Sequence, residues 1–133
     1  MSKFLGLDYG NKHIGVAISD EGKTMAFPRE EIINDKEAIY NIKQLVDQEG
    51  ITKIIVGLPI GLKGQPTEQT ERVIKFIDQL KTNLPIEIIE EDERMTSKAA
   101  LNLLTNLDRK TKKKKVHSSS AIIILQDYLH KHA

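Results

Sequence analysis

Two short apolar runs stand back to back near the start of the chain. Phe4-Leu5-Gly6-Leu7-Asp8 is followed by Tyr9-Gly10-Asn11-Lys12 and then by Ile14-Gly15-Val16-Ala17-Ile18-Ser19-Asp20. Runs of this length, joined by a Gly/Asn loop, form a pair of strands. Asp8 closes the first of them. A carboxylate near the end of a strand is costly to bury unless it is paired or bound to a cation. Two readings of Asp8 follow. It caps a turn, as Asp often does, or it holds a metal or a phosphate beside a glycine that lets backbone come close.

The remaining chain extends this pair into a sheet with helices. Thr24 to Ile33 reads as a third strand, and Pro28 within it suits an edge or a bulge. Asp35 to Glu49 carries Ile39, Ile42, Leu45 and Val46 near helical spacing, and Gly50 stops that helix. Lys53-Ile54-Ile55-Val56-Gly57-Leu58 is apolar without alternation, as in a strand covered on both faces. Pro59 to Pro66, with its glycines and prolines, is a loop. Thr67 to Thr82 is the next helix, with Thr67 as N-cap and Val73, Ile74, Ile77 and Leu80 facing inward. Ile86-Glu87-Ile88-Ile89 is a strand, Glu91-Asp92-Glu93-Arg94 a turn, and Thr96 to Leu104 a helix. Ser118 to His130 is a final helix carrying Ile122, Ile124, Leu125, Tyr128 and Leu129.

The order β-β-β-α-β-α-β-α-α describes a mixed α/β sheet, because strand-helix-strand crossovers demand parallel pairing. Ligands of such sheets gather at the carboxyl ends of the strands. Asp8, the Gly57-Leu58-Pro59 segment and Glu91-Asp92-Glu93-Arg94 all fall at such ends and are expected to share one rim.

Bulk properties narrow the function classes. At 133 residues the chain is expected to fold as one domain, residues 1–133, with a core that needs no staples. It has no cysteine, which excludes disulfides and thiolate metal sites. No apolar stretch is long enough to span a bilayer, and the first residues do not read as a signal peptide, so a cytoplasmic protein with no membrane partner is expected. The formal net charge of +1 hides a sharp segregation. Arg109-Lys110-Thr111-Lys112-Lys113-Lys114-Lys115 is strongly cationic, and Glu87, Glu90, Glu91, Asp92 and Glu93 crowd together upstream. The lysine run is either a solvated loop or a phosphate-backbone contact, and Lys12 is a smaller candidate for the same task. Three Phe, three Tyr and no Trp argue against a base-stacking platform for single strands and toward recognition of backbone and shape.

Five strings carry a family resemblance. They are Leu5-Gly6-Leu7-Asp8-Tyr9-Gly10, Ile14 to Asp20, Ile55-Val56-Gly57-Leu58-Pro59 with Gly64 beyond, Asp92-Glu93-Arg94-Met95-Thr96-Ser97, and Ala121 to Leu129. In that order, and over essentially the whole chain, they resemble the YqgF/RuvX family. Its members are described as Holliday junction resolvases or as nucleases that mature the 5′ end of pre-16S ribosomal RNA. The resemblance implies a ribonuclease H-like fold, a five-stranded mixed sheet of order 3-2-1-4-5 flanked by helices. It also implies a metal-dependent nuclease acting on structured RNA or branched DNA.

Phosphodiester hydrolysis needs an activated water, a stabilised leaving oxygen and neutralised transition-state charge. Carboxylates holding Mg²⁺ or Mn²⁺ supply all three. Asp8 matches the family's first acid, Glu93 its second, and Arg94 suits a phosphate. Glu93-Arg94 also reads as a surface ion pair. The third family ligand, an aspartate before the last helix, is replaced here by His117. Three readings of His117 stand: a ligand that favours Mn²⁺, a general base, or the mark of a weakened site that leaves a nucleic-acid-binding protein. An Asp-x-Gly turn between strands also occurs in two-lobed ATP-binding domains of the sugar-kinase type, but this chain supplies one lobe. A resolvase of a symmetric junction is expected to be a homodimer, whereas an end-trimming ribonuclease works as a monomer or a dimer.

Overall fold

A computed structural model describes residues 2–59, 65–93 and 118–132, and for Glu93, Ser118 and Ser119 it describes the backbone. The described elements are β1 (Lys3–Tyr9), β2 (His13–Ser19), β3 (Ala26–Ile33), α1 (Ala38–Glu49), β4 (Ile51–Pro59), α2 (Glu68–Asn83), β5 (Glu87–Glu93) and α3 (Ser118–Lys131). The helix expected over 96–104 and part of the loop expected after Pro59 lie outside the described residues.

The strands form one sheet of order β3-β2-β1-β4-β5, as expected. β2 runs antiparallel to β1 and β3, while β4 is parallel to β1 and β5 is parallel to β4. The central strand β1 is covered on both faces, and strand alternation sorts its side chains between two cores. Leu5 and Leu7 enter the larger core with Ile54, Val56, Ile42, Val73, Ile77 and Leu80, under α1 and α2. Phe4 packs on the opposite side, where Ala17, Ile55, Ala121, Leu125, Tyr128 and Leu129 bury α3 against the sheet.

Local signals explain most boundaries. Gly50 ends α1 in a left-handed conformation, φ 67°, a geometry that costs glycine nothing. Thr67 caps α2 through a capping box in which Thr67 and Thr70 satisfy each other's backbone N–H groups. Pro28 is tolerated because β3 is an edge strand, where it pairs with Ala17. Three details differ from the sequence reading. Ile74 is 41% exposed, and Phe76 takes the inward position instead, stacked against Tyr9 with ring centroids 4.6 Å apart. β5 does not stop at Ile89 but continues through Glu91 and Asp92 to Glu93, because the ladder with β4 runs on to the Pro59–Glu93 pair. Pro59 itself belongs to β4 rather than to a loop.

α3 approaches the sheet closely where it crosses β1. A Cβ on Gly6 would stand 2.7 Å from Leu125 Cβ and 3.0 Å from the Ala121 carbonyl oxygen. Gly6 therefore lets the helix lie directly on the strand. We expect Gly6→Ala to lift α3 from the sheet and to cost about 1–3 kcal/mol. Chemical denaturation of the variant checks this, and an unchanged midpoint would show that the contact is slack.

Candidate nuclease site at the carboxyl rim

β1, β4 and β5 are mutually parallel, so their carboxyl ends lie along one rim of the sheet. Leu7 pairs with Val56, which sets Asp8 one step further on, beside Gly57, and Gly57 pairs with Glu91. Strand parity gives Asp8, Gly57 and Glu91 the same face as Phe4, Ile55 and Ile89, the face that α3 covers. Glu93 lies two residues beyond Glu91 on the same parity, at the very end of β5. The strand between the two acids contributes only Gly57 at this level, a residue with no side chain to intrude.

The direction of α3 brings its first turn to the same rim. Tyr128 meets Phe4 and Lys53 at the amino ends of β1 and β4, whereas Ala121 and Leu125 lie over Gly6. Following the helix backwards from Tyr128 thus leads up β1 toward Asp8, and Ser118 begins at that end. His117 itself lies outside the described residues, as do Arg94, Lys110, Lys112, Lys113, Lys114 and Lys115.

Hydrogen bonds from the opposite layer fix the rim. The buried Thr70 hydroxyl donates to the Pro59 carbonyl, and the Gln69 amide donates to the Tyr9 carbonyl at 3.2 Å. The first turn of α2 therefore ties the ends of β4 and β1 together. Asn34 closes the β1–β2 hairpin, donating from its side chain to Gly10 O at 2.7 Å and from its backbone to Lys12 O at 2.9 Å. A side chain at position 10 would meet the His13 carbonyl at 2.5 Å, so this hairpin requires glycine. Lys12 is held, exposed, at the tip beside Asp8's end of the strand.

Charge at the rim is partly compensated from within. Asp8 is half-buried. Glu91 is ion-paired and hydrogen-bonded to Lys131 at the far end of α3, and its side chain is only 12% exposed. That bond holds the Lys131 ammonium above its usual range against the opposing effect of burial. Glu91 is thus paired with a cation of the protein, and the backbone of Glu93 stands at the end of β5. Among the described residues no three His, Asp or Glu side chains gather closely enough to hold a metal ion on their own. Sequence reading singled out Asp8, Glu93 and Lys12, which the fold brings to one rim. It overlooked Gln69, Thr70 and Lys131, whose partners lie far away in the chain. The Thr67-x-x-Thr70 cap was the one local signal for Thr70.

The comparisons with known proteins agree with this architecture. The family model described as "RuvX: Holliday junction resolvase" matches residues 2–131, and the chain belongs to that family. A Sulfurihydrogenibium protein named "Putative pre-16S rRNA nuclease" is 46% identical over 131 residues, covering 97% of this chain and 90% of the relative. A Chloroflexus aurantiacus protein of the same name is 41% identical, covering 94% and 84% of the two chains. Among solved structures, RuvC of T. thermophilus in complex with a Holliday junction substrate superposes with a TM-score of 0.63 at 12% identity, covering 99% of this chain and 96% of RuvC. The fowlpox virus resolvase in complex with junction DNA gives 0.58 at 12% identity, covering 98% of each chain. Both establish a shared, ribonuclease H-like fold. No helix among the described residues is long and apolar enough to cross a membrane.

The clamp from α2 makes a direct prediction. Thr70→Val keeps the volume but removes half of the capping box and the bond to Pro59, and should cost about 1–2 kcal/mol. Urea denaturation measures it, and a loss near zero would mean that the rim is not held from this side.

Proposed function

We propose that the protein is a metal-dependent nuclease that hydrolyses phosphodiester bonds of structured nucleic acid in the cytoplasm, with the 5′ end of a pre-16S rRNA as the favoured substrate and a branched DNA junction as the second. The observation that supports this reading is the register of β1, β4 and β5, in which Asp8 and Glu93 share strand parity at the carboxyl ends of β1 and β5, with β4 between them. The relatives named for rRNA processing favour the first substrate, and the family description favours the second.

The donor set fits a hard divalent cation. Two strand spacings of ~4.8 Å and two residues of ~3.3 Å rise separate the backbones of Asp8 and Glu93 by roughly 10–12 Å. An aspartate and a glutamate extended toward each other, each about 2.1 Å from a shared ion, cover about that distance. Asp8 and Glu93 would hold Mg²⁺ or Mn²⁺, with His117 as third member at the start of α3. When bound, the ion supplies an acidified water and charge neutralisation at the phosphate. His117, which is neutral where the family carries an aspartate, adds no negative charge and inclines the set toward Mn²⁺. Its imidazole can instead take the proton of the attacking water.

The cations have a separate task. Arg94, one residue after Glu93, is placed by sequence to meet a phosphate next to the cleaved one. Lys12 at the hairpin tip, with Lys110 and Lys112 to Lys115 ahead of His117, would bind the strand backbone and give affinity that falls steeply with salt. Should the histidine leave the acids too weakly charged, what remains is a binding protein of the same fold.

Cleavage of a 5′-extended 16S rRNA precursor and of a four-way junction, in Mg²⁺ and in Mn²⁺, tests the reading. Asp8→Asn should lower the rate at least about 10²-fold, corresponding to some 3 kcal/mol of transition-state stabilisation, while the salt-dependent affinity persists. His117→Asp should raise the Mg²⁺ rate relative to Mn²⁺. Full activity in Asp8→Asn would refute the site, and absence of cleavage in the parent with binding intact would support the non-catalytic reading.

A further inference from the structure

At the end of the sheet opposite Asp8, a cavity of about 190 Å³ opens between β1, β4, the β2–β3 turn and the end of α3. Phe4, Lys23, Lys53, Tyr128, Leu129 and His132 line it. Phe4 and Asp8 are four residues apart on β1, so this cavity lies about 13 Å from the rim. The chain is poor in aromatic residues, yet two of its six Phe and Tyr side chains meet here. Phe4 and Tyr128 pack edge to face at 6.0 Å, and the exposed His132 ring lies over Tyr128 at 4.2 Å.

Two ammonium groups converge on this aromatic cluster. Lys53 Nζ sits 4.9 Å from the centre of the Phe4 ring and donates to the Tyr128 hydroxyl at 2.8 Å. Glu87, largely exposed, balances it from the outside at 3.5 Å. Lys23 Nζ approaches the same Phe4 ring at 5.4 Å. Among the described residues it forms no salt bridge with a carboxylate.

The backbone that delivers Lys23 is built against its preference. Lys23 has φ 57°, and it is the one non-glycine residue with positive φ among those described. Its turn is locked by Asp20, whose carboxylate accepts from Thr24 N at 2.8 Å, from the Thr24 hydroxyl at 2.8 Å and from Met25 N at 3.1 Å. These bonds, the Thr24 amide foremost, hold the Asp20 carboxyl below its ordinary value. A tight turn with a left-handed position normally carries glycine or asparagine there. A lysine kept in such a place by its surroundings is a reason to look for a function.

We propose that this cavity binds a single nucleotide unit, its phosphate between Lys23 and Lys53 and its base against the His132–Tyr128 rings. The space is smaller than a drug-sized pocket, which suits one nucleotide held partly in solvent rather than a buried cofactor. Two ammonium groups answer the charge of a phosphate, and an exposed ring stacked on a buried one offers a base a rigid face. The site stands apart from the nuclease reading, because it shares no residue with the Asp8 rim. Its phosphate could come from a free nucleotide or from the end of a strand whose body reaches the rim.

Two-dimensional amide NMR of the full chain tests this with adenosine 5′-monophosphate, adenosine, inorganic phosphate and a 5′-phosphorylated trinucleotide as probes. The mononucleotide should shift the Phe4, Lys23, Thr24, Lys53 and His132 signals saturably. Lys23→Gln should weaken that binding at least fivefold, and Asp8→Asn should leave it unchanged. Lys23→Gly is the decisive variant, since glycine suits the backbone: it should melt no lower than the parent and still lose the nucleotide. Tighter binding of the trinucleotide would support the site with a strand end as its ligand, and equal binding would support it with a free nucleotide. The proposal is overturned if no probe gives a saturable shift, if phosphate or adenosine alone matches the mononucleotide, or if Lys23→Gly binds as the parent does.

Discussion

β1 is the strand on which everything else is arranged, because its middle, Leu5 to Leu7, is buried on both faces. Leu5 and Leu7 go fully into the core beneath α1 and α2, and Gly6 is pressed by Leu125 and Ala121 of α3. No charged group can be accommodated within that stretch without a partner. The first acid therefore appears at Asp8, where the cover ends and the strand is half open. Asp8 is thus the first acid of β1, standing half-buried at the mouth of a two-sided core. The absence of a side chain at Gly6 thus has two effects: it allows α3 to lie flat, and it sets how near the start of α3 comes to Asp8.

The rim is kept in place by a small set of polar bonds rather than by more apolar burial. Gln69 and Thr70 reach from the first turn of α2 to carbonyls of β1 and β4. Lys131, from the last turn of α3, neutralises Glu91, which the register sets on the same face as Asp8. The opposite end of the sheet is organised in reverse, with ammonium groups over aromatic rings and the acid, Glu87, on the outside.

What the amino-acid sequence disclosed, and what it hid, follows the range of the interactions. Gly50 and Thr67 were legible as helix ends because their effect is confined to neighbouring residues. The unbroken apolar run in β4 was legible because two-sided burial removes alternation. Ile74 and Phe76 were misjudged because both fit a helical stripe to within one position, and only the Tyr9 ring on β1 selects Phe76. The length of β5 was hidden for a similar reason: Glu90 to Glu93 reads as a charged turn, yet backbone pairing with β4 holds it extended regardless of side-chain type. The sheet order and the pairing of Asp8 with Glu93 came from the family resemblance, since element order alone admits several sheets. Contacts such as Lys53–Tyr128 and Lys131–Glu91 join residues 75 and 40 positions apart and have no local signature.

The account rests on a divalent cation binding between Asp8 and Glu93. Titration with Mn²⁺, followed by paramagnetic broadening of amide signals, reads this without any substrate. The expected result is saturable broadening centred on Asp8, Gly57 and Glu93, abolished in Asp8→Asn and competed by Mg²⁺. Broadening spread evenly over the acidic surface, or confined to residues distant from β1 and unchanged in Asp8→Asn, would contradict it.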